Sequence, residues 1–209
     1  MREILKNVKE KLSSKYLDNN NLKNKKKFKP RIKARIRKNK QILNKNIDSF
    51  FGWVKGAELV ELKECNTKED PVRPELDNNF RRSHGRKIYG VKYKKEIHAV
   101  MCFAFTNNVP KNVFELDKFS QDAYLQSAHR GQNVGQIAIA YTVWSKKRGG
   151  GKLIVKEVFK KIKESNHLNR LVTLSPLTEM ATKFHNNNGA KLLQVNETTQ
   201  NFEYKIIKE

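Results

Sequence analysis

Cysteine, proline and long apolar stretches are scarce in this chain, and each scarcity excludes something. The 209 residues include two cysteines and five prolines. Cys65 and Cys102 show no CxxC spacing and no neighbouring ligand cluster, so they predict reduced thiols in a reducing compartment. No stretch approaches the roughly 20 apolar residues that cross a membrane, and the charged first residues lack the apolar core of a secretory signal. The expected location is therefore the cytoplasm.

Acidic residues are also scarce, and the basic excess is unevenly distributed. The formal charge is +23, and residues 1–47 hold seventeen Lys and Arg against three acids. Such a block attracts polyanions: nucleic acid, an anionic membrane surface or a phosphorylated ligand. Abundant Lys and Asn are also what an AT-rich genome produces without selection for binding. We predict a basic extension, helical or disordered, over 1–47 and one folded domain over 48–209.

The pattern within the folded domain alternates strands with helices. Two strand-like runs joined by the charged turn 94–96 indicate a hairpin. Residues 64–84 are expected to form a long loop, and residues 107–134 form a connecting region with little pattern. The expected strands cover 86–93, 97–106, 136–144, 171–174, 191–195 and 202–207, and amphipathic helices follow 152 and 176. This order predicts an α/β (or α+β) fold with one mixed central sheet and flanking helices.

A glycine-rich turn lies between the third strand and its helix. Its residues are Lys146, Lys147, Arg148, Gly149, Gly150, Gly151 and Lys152. Amide groups at a helix start, next to glycines and cations, suit a phosphate group. The spacing fits neither the P-loop nor the dinucleotide fingerprint. A flexible surface turn with incidental glycines is the alternative.

The same turn resembles the Gln/Arg-x-x-Gly-x-Gly/Ala motif of GNAT-fold acyltransferases, with Lys146 at the first position. In that family the turn holds the pyrophosphate of coenzyme A, and the preceding strand offers backbone groups to the pantetheine arm. The resemblance implies a coenzyme A thioester as substrate. It also implies that Tyr141, Thr142 and Val143 bind the pantetheine.

A second resemblance lies near the end of the chain. The stretch Thr173-Leu174-Ser175-Pro176, the later Phe184-His185-Asn186-Asn187-Asn188-Gly189-Ala190 and then Asn196 resemble the malonyl-CoA decarboxylase catalytic domain, a divergent GNAT fold. The resemblance implies that Ser175 and His185 are catalytic. Only nine residues separate them here, whereas the family has a long insertion. Residues 1–47 do not resemble the family's helical N-terminal domain.

Local rules offer a structural reading of the same stretch. Ser175 before Pro176 is a good helix start, and Asn188-Gly189 is an ordinary helix stop. One helix over 176–188 would separate Ser175 and His185 by about 15 Å along its axis. Unless the helix breaks near Thr178, a direct Ser–His hydrogen bond is excluded, and we expect the two groups to approach the substrate from different directions.

Three functions remain open on these grounds. The first is decarboxylation of malonyl-CoA or a similar thioester, with His185 as proton donor and Ser175 orienting the substrate. The second is transfer of an acetyl group from acetyl-CoA to an amine. The third is nucleic-acid binding through residues 1–47 beside an inactive GNAT-like domain. The other histidines show no ligand spacing, so no metal is predicted.

Overall fold

The fold is seen in a computed structural model that describes residues 38–39, 52–53 and 55–206. The folded unit runs from Trp53 to Glu209. The predicted basic extension falls almost entirely outside the described residues, so its structure and its boundary with the domain stay predictions. The strands are β1 (Ala57–Leu62), β2 (Lys87–Tyr93), β3 (Glu96–Thr106), β4 (Ile137–Ser145), β5 (Arg170–Thr173), β6 (Ser175–Pro176), β7 (Lys191–Val195) and β8 (Thr199–Tyr204).

The eight described strands form one mixed sheet. Its order is β1-β2-β3-β4-β5-β8-β6, and β7 also pairs with β8. Among these strands only β4 and β5 run parallel, because the helix after the glycine turn carries the chain back across the sheet. The predicted mixed sheet is confirmed, and so is the β2–β3 hairpin with its two-residue Lys94-Lys95 turn.

Within the described part of the domain, four α-helices with defined bounds flank the sheet: α1 (Asn78–Arg82), α2 (Val113–Arg130), α3 (Gly150–Lys163) and α4 (Glu179–Asn187). The apolar stripe of α3, including Ile154 and Val158, is buried in one core with Phe103 and Phe202. A second core holds Leu116 of α2 with strand residues such as Ile139. Each such side chain contributes about 1.5–3 kcal/mol when fully buried.

Helix α2 lies in the connecting region 107–134, where the expected order of elements contained no helix, so that order is wrong at this point. Its buried residues are only Leu116, Ser120 and Ala123, too few for a clear apolar stripe. Its ends do carry recognisable features. The side chain of Asn112 accepts a hydrogen bond from the Glu115 amide at 2.8 Å, and Gly131 ends the helix in the left-handed region at φ +65°.

Strand β4 contains a bulge that positions the site. Thr142 pairs with Cys102 and Ala140 pairs with Phe103, so Tyr141 is an extra residue without a partner on β3. The pairing of β4 with β5 also ends at Ala140. From Tyr141 onward, β4 therefore continues past the end of β5, and the two strands leave an opening between them.

Candidate active site

Ser175 and His185 are in direct contact, which corrects the geometric expectation. Their Oγ and Nε2 atoms lie 2.8 Å apart. Ser175 does not cap a helix, because it belongs to β6 and pairs with Gln200 of β8. Helix α4 begins at Glu179 instead, where the side chain of Thr178 accepts a hydrogen bond from the Ala181 amide. The chain turns between β6 and α4, and this turn brings His185 back to Ser175. The helix ends at Asn187 with Asn188 as its cap, in agreement with the predicted stop at Asn188-Gly189.

The imidazole of His185 is held on every side. Its Nδ1 lies 3.0 Å from the hydroxyl of Tyr204. Its ring stacks on Phe202 at a centroid distance of 4.9 Å and meets the edge of Phe184 at 5.1 Å. Burial lowers the pKa of His185 to about 4, because an apolar site disfavours the charged form. His185 is therefore a neutral imidazole at pH 7, with a hydroxyl group facing each ring nitrogen.

Ser175 is fixed from behind by residues that sequence reasoning missed. Its hydroxyl donates to Thr173 Oγ1 at 3.1 Å, and Thr173 Oγ1 also accepts from the Phe202 amide. The buried Asn201 donates to the Thr173 carbonyl at 2.7 Å and accepts from the side chain of Asn196 at 2.8 Å. Asn196, which formed part of the sequence resemblance, thus connects to Ser175 through two intermediate residues.

Tyr204 was also missed, although the sequence held a clue to it. Phe202 and Tyr204 are two apart on β8, so they share one face of the strand. Both contact His185 from that face. Burial raises the pKa of Tyr204, so its hydroxyl stays protonated at neutral pH. Only the pairing of β8 with its neighbours, which local patterns do not determine, places this face against α4.

One cavity of about 240 Å³ joins these groups to the strand predicted to bind pantetheine. Its lining includes Ser175, His185, Tyr204, Tyr141, Thr142, Val143 and Gly151. Most of the other lining side chains are apolar. Among the described residues, no Lys, Arg, Asp or Glu lines this cavity. A ligand that enters it therefore meets hydroxyl groups, one neutral imidazole and the backbone of β4.

The glycine turn lies beside this cavity and opens α3. Gly149 adopts the left-handed conformation, at φ +84°, and no side chain caps the helix. The first-turn amide groups of a helix have no partner within it, so they suit an anion. Gly151 also allows α3 to approach α4, since a Cβ added there would lie 3.1 Å from the ring of Phe184.

The cations of the turn divide into two kinds. Lys146 pairs with Glu69 at 2.8 Å, and the ammonium group of Lys147 lies over the rings of Trp53 and Tyr93. Arg148 and Lys152 are exposed, and no ion pair or ring contact joins them to another described residue. The four cations of the turn, together with Gly149 and Gly150, do not line the cavity. The contact of these six residues with coenzyme A therefore stays a prediction.

The bulge in β4 determines which groups of this strand, predicted to bind pantetheine, are already hydrogen-bonded within the protein. The carbonyl of Tyr141 accepts a hydrogen bond from the guanidinium of Arg73. The hydroxyl of Thr142 turns away and donates to both carboxylate oxygens of Asp70 at 2.8 Å. Tyr141 and Thr142 line the cavity, but the carbonyl of Tyr141 and the hydroxyl of Thr142 are already engaged, so backbone contact with pantetheine stays a prediction.

The described residues also bear on metal binding and on membrane insertion. They include no group of three or more His, Cys, Asp and Glu that could hold a metal ion. None of the described helices combines the length and the apolar composition that a membrane span requires.

Sequence comparisons find nothing: no protein-family model and no curated protein matches this chain. Solved structures do match. The GphF GNAT-like decarboxylase in complex with isobutyryl-CoA has a TM-score of 0.54 at 9% identity, over 72% of this chain and 100% of that one. The loading GNATL domain of CurA from Lyngbya majuscula has a TM-score of 0.51 at 11% identity, over 72% of this chain and 98% of that one.

A malonyl-CoA decarboxylase from Agrobacterium vitis also matches, with a TM-score of 0.48 at 18% identity. The match covers 62% of this chain and only 35% of the decarboxylase. The chain therefore spans about a third of that relative's length. At such identities a comparison speaks for the fold alone, and in that sense the predicted resemblance is confirmed: the domain has a GNAT-like fold.

Proposed function

We propose that this protein is an acyl-CoA-dependent enzyme that decarboxylates malonyl-CoA or a similar acyl thioester to acetyl-CoA and CO2. The observation that carries the proposal is the 2.8 Å contact between Ser175 and His185 in the cavity that also reaches β4. Two groups that can position and protonate an acyl unit therefore share one chamber with the strand expected to hold the thioester arm.

The ligand would extend from the glycine turn to the Ser–His pair. Its diphosphate would lie at the start of α3, near the exposed Arg148 and Lys152. Its pantetheine would follow the edge of β4 beyond Ala140, where β5 no longer pairs. The amide of Leu174 donates to the Ala140 carbonyl at 2.9 Å, so the next residue, Ser175, lies at the far end of this path.

The chemistry needs few groups. The bond between the carboxylate carbon and the α-carbon breaks, CO2 leaves, and the electron pair passes into the thioester as an enolate. The enolate takes one proton at the α-carbon, which gives the acetyl thioester. The hydroxyl of Ser175 can turn away from Thr173 and donate its one hydrogen bond to the developing negative oxygen instead. An anionic substrate raises the pKa of a nearby imidazole, so His185 can gain a proton in the complex, deliver it, and regain it from solvent.

The apolar lining also favours this reaction. A carboxylate loses its hydration in such a cavity, and the loss destabilises the charged starting group. CO2 is neutral, so its release removes the poorly solvated group, while the enolate charge is spread over the thioester. The absence of acidic and basic side chains from the described lining makes this contribution larger than it would be in a polar site.

The test follows CO2 and acetyl-CoA released from carboxyl-labelled malonyl-CoA by the full-length protein. His185→Ala should lower kcat by about 10²–10⁴-fold, because positioned proton transfer contributes that much. Coenzyme A affinity should change less than about twofold, since the ring lies at the acyl end of the path. The matched control is His129→Ala, which removes an exposed histidine at the end of α2.

Three outcomes would contradict the proposal. Unchanged turnover in His185→Ala would remove the role assigned to this residue. Acetyl-CoA consumed only when an amine is supplied would favour acetyl transfer instead. Failure of the wild-type protein to bind coenzyme A at all would favour the third hypothesis, an inactive domain with a basic extension.

A further inference from the structure

Arg73 is a buried guanidinium at the wall of the catalytic cavity. Only 5% of the residue is exposed. It donates a hydrogen bond to the carbonyl of Tyr141, the bulged residue of β4. Tyr141 lines the cavity, and so do Pro71 and Val72, which immediately precede Arg73 in the chain. The positive charge therefore lies one backbone group behind the wall, on the side where β4 would meet the thioester.

The nearest buried acid in the sequence, Asp70, is already fully engaged. Its carboxylate pairs with Arg81 at 2.8 Å and accepts from the hydroxyl of Thr142. It also accepts from the amides of Val72 and Arg73, at 2.9 and 3.2 Å. Among the described residues, no ion pair includes Arg73. Burial lowers the pKa of Arg73, but a guanidinium keeps its proton in proteins.

The neighbouring thiols contact groups other than Arg73. Burial raises the pKa of Cys102, whose sulfur accepts from Arg81 at 3.2 Å. Hydrogen bonding with Cys102 lowers the pKa of Cys65, whose thiol donates to the side chain of Asn78. Glu75 also attracts Arg73, but it is exposed, so water screens the attraction. One buried carboxylate, 2% exposed, thus faces two buried guanidiniums, Arg73 and the fully buried Arg81.

A buried charge without its own partner is costly, and an anion brought to it recovers part of that cost. No acidic or basic side chain lines the cavity among the described residues, so neither can screen or oppose this charge inside it. Water is also largely displaced from a cavity that a ligand fills, which strengthens the interaction. The position behind the wall therefore favours a negatively charged acyl group over a neutral one.

We infer that Arg73 is a specificity-determining residue whose charge selects thioesters with a carboxylate on the acyl group, and this rests on the function proposed above. Arg73 acts through its field and through the backbone of Tyr141, so it is a positioning residue. The same charge also favours the enolate, which is negative like the carboxylate. A neutral acyl thioester such as acetyl-CoA gains nothing from it.

The test separates the charge of Arg73 from its hydrogen bond. Arg73→Gln keeps an N–H donor for the Tyr141 carbonyl but removes the charge, and Arg73→Lys keeps the charge. Dissociation constants for malonyl-CoA and acetyl-CoA are measured by calorimetry in the His185→Ala protein, in which turnover is blocked. The His185→Ala protein, the parent in this test, should bind malonyl-CoA more tightly than acetyl-CoA. Adding Arg73→Gln should raise the dissociation constant for malonyl-CoA about tenfold or more, while that for acetyl-CoA changes less than about twofold.

Two further readouts exclude a merely structural role. Arg73→Lys should recover malonyl-CoA binding to within about threefold of the parent, since it restores the charge. In the presence of His185, Arg73→Gln should raise KM for malonyl-CoA more than it lowers kcat. The matched control is Lys152→Gln, which removes a cation at the phosphate end and should weaken both thioesters equally.

Equal weakening of both thioesters by Arg73→Gln, or no change in either, would overturn this inference and leave the proposed function standing. A parent that binds both without preference would do the same. A parent that binds neither thioester would overturn the proposed function and this inference together. If Arg73→Gln does not fold, Arg73→Lys decides: a retained preference for malonyl-CoA supports the inference, and a lost preference overturns it.

Discussion

Two buried polar clusters meet β4 and its neighbours, and they are built in opposite ways. The hydroxyl–imidazole trio consists of Ser175, His185 and Tyr204, and the ion cluster consists of Asp70, Arg81 and Thr142. Every member of both has an exposed fraction of 5% or less. The trio is uncharged at pH 7 and lines a cavity, whereas the carboxylate of the ion cluster is saturated with donors. Burial therefore does not mark a reactive site. A reactive site is indicated instead by a buried group that can still exchange a proton with a ligand in a cavity.

The largest expected effect tests this contrast through stability. Asp70→Ala leaves Arg81 buried without its carboxylate, and we expect a loss of about 3–5 kcal/mol in the free energy of unfolding. Ser175→Ala removes one hydroxyl between uncharged partners and should cost about 1 kcal/mol. Urea denaturation at pH 7 measures both. Glu61→Ala, in an exposed pair with Lys87, is the control and should cost less than about 1 kcal/mol.

Similar losses for Asp70→Ala and Ser175→Ala would break the comparison, because the two clusters would then stabilise the domain in the same way.

A smaller effect should appear on acidification. The pKa of His185 falls from 6.5 in the unfolded chain to about 4 in the folded protein. The unfolded chain therefore binds a proton first, and stability is complete above pH 6.5 and lost as the pH falls toward 4. Between pH 7 and pH 5 we expect a loss of about 2 kcal/mol from this residue. Denaturation at the two pH values measures it.

The control for the acid effect is His185→Gln, which cannot titrate. Its stability should fall less than that of the wild-type protein over the same pH interval, by the amount assigned to His185. Equal losses in the two proteins would mean that His185 is not held neutral, and the trio would then resemble the ion cluster more than we infer.

The smallest effect concerns the glycine turn. Here too, some charged groups already have a partner in the domain and others are available to a ligand. Arg148→Ala and Lys152→Ala should each weaken coenzyme A binding by about two- to fivefold, as expected for exposed charges. Lys146→Ala should change it less, because Glu69 already holds that ammonium group. Calorimetry with coenzyme A at low salt measures all three. If Lys146→Ala weakened coenzyme A binding more than Arg148→Ala and Lys152→Ala, Lys146 and not the two exposed cations would be the one that contacts the ligand.

The sequence was informative where structure depends on neighbours in the chain. The β2–β3 hairpin, the glycine turn that opens α3 and the helix end at Asn188 each follow from a few adjacent residues. The resemblance to decarboxylases also pointed to Ser175 and His185, which lie in contact in the structure, while their catalytic roles stay predictions. The arrangement of these two residues was not predictable locally, because the pairing of Ser175 with Gln200, 25 positions later, moves the helix start to Glu179.

The sequence did not predict the ion cluster or the neighbouring Arg73, for a related reason. Asp70, Arg73 and Arg81 belong to a polar, proline-containing segment that is typical of a surface loop, yet all three are buried. Their burial depends on Thr142 and Tyr141 of β4, some seventy residues away. A pattern of polar residues indicates exposure only when no distant partner satisfies them.

The extra residue in β4 also limits how this chain can change. The bulge accommodates Tyr141 as one residue beyond regular pairing, because Ala140 and Thr142 on either side of it pair with consecutive residues of β3. Deleting Tyr141 would restore regular pairing but would remove the carbonyl that meets Arg73 and shorten the part of β4 that lines the cavity. Insertions and deletions here should be far less tolerated than substitutions, so the length of β4 is as much part of the site as any side chain.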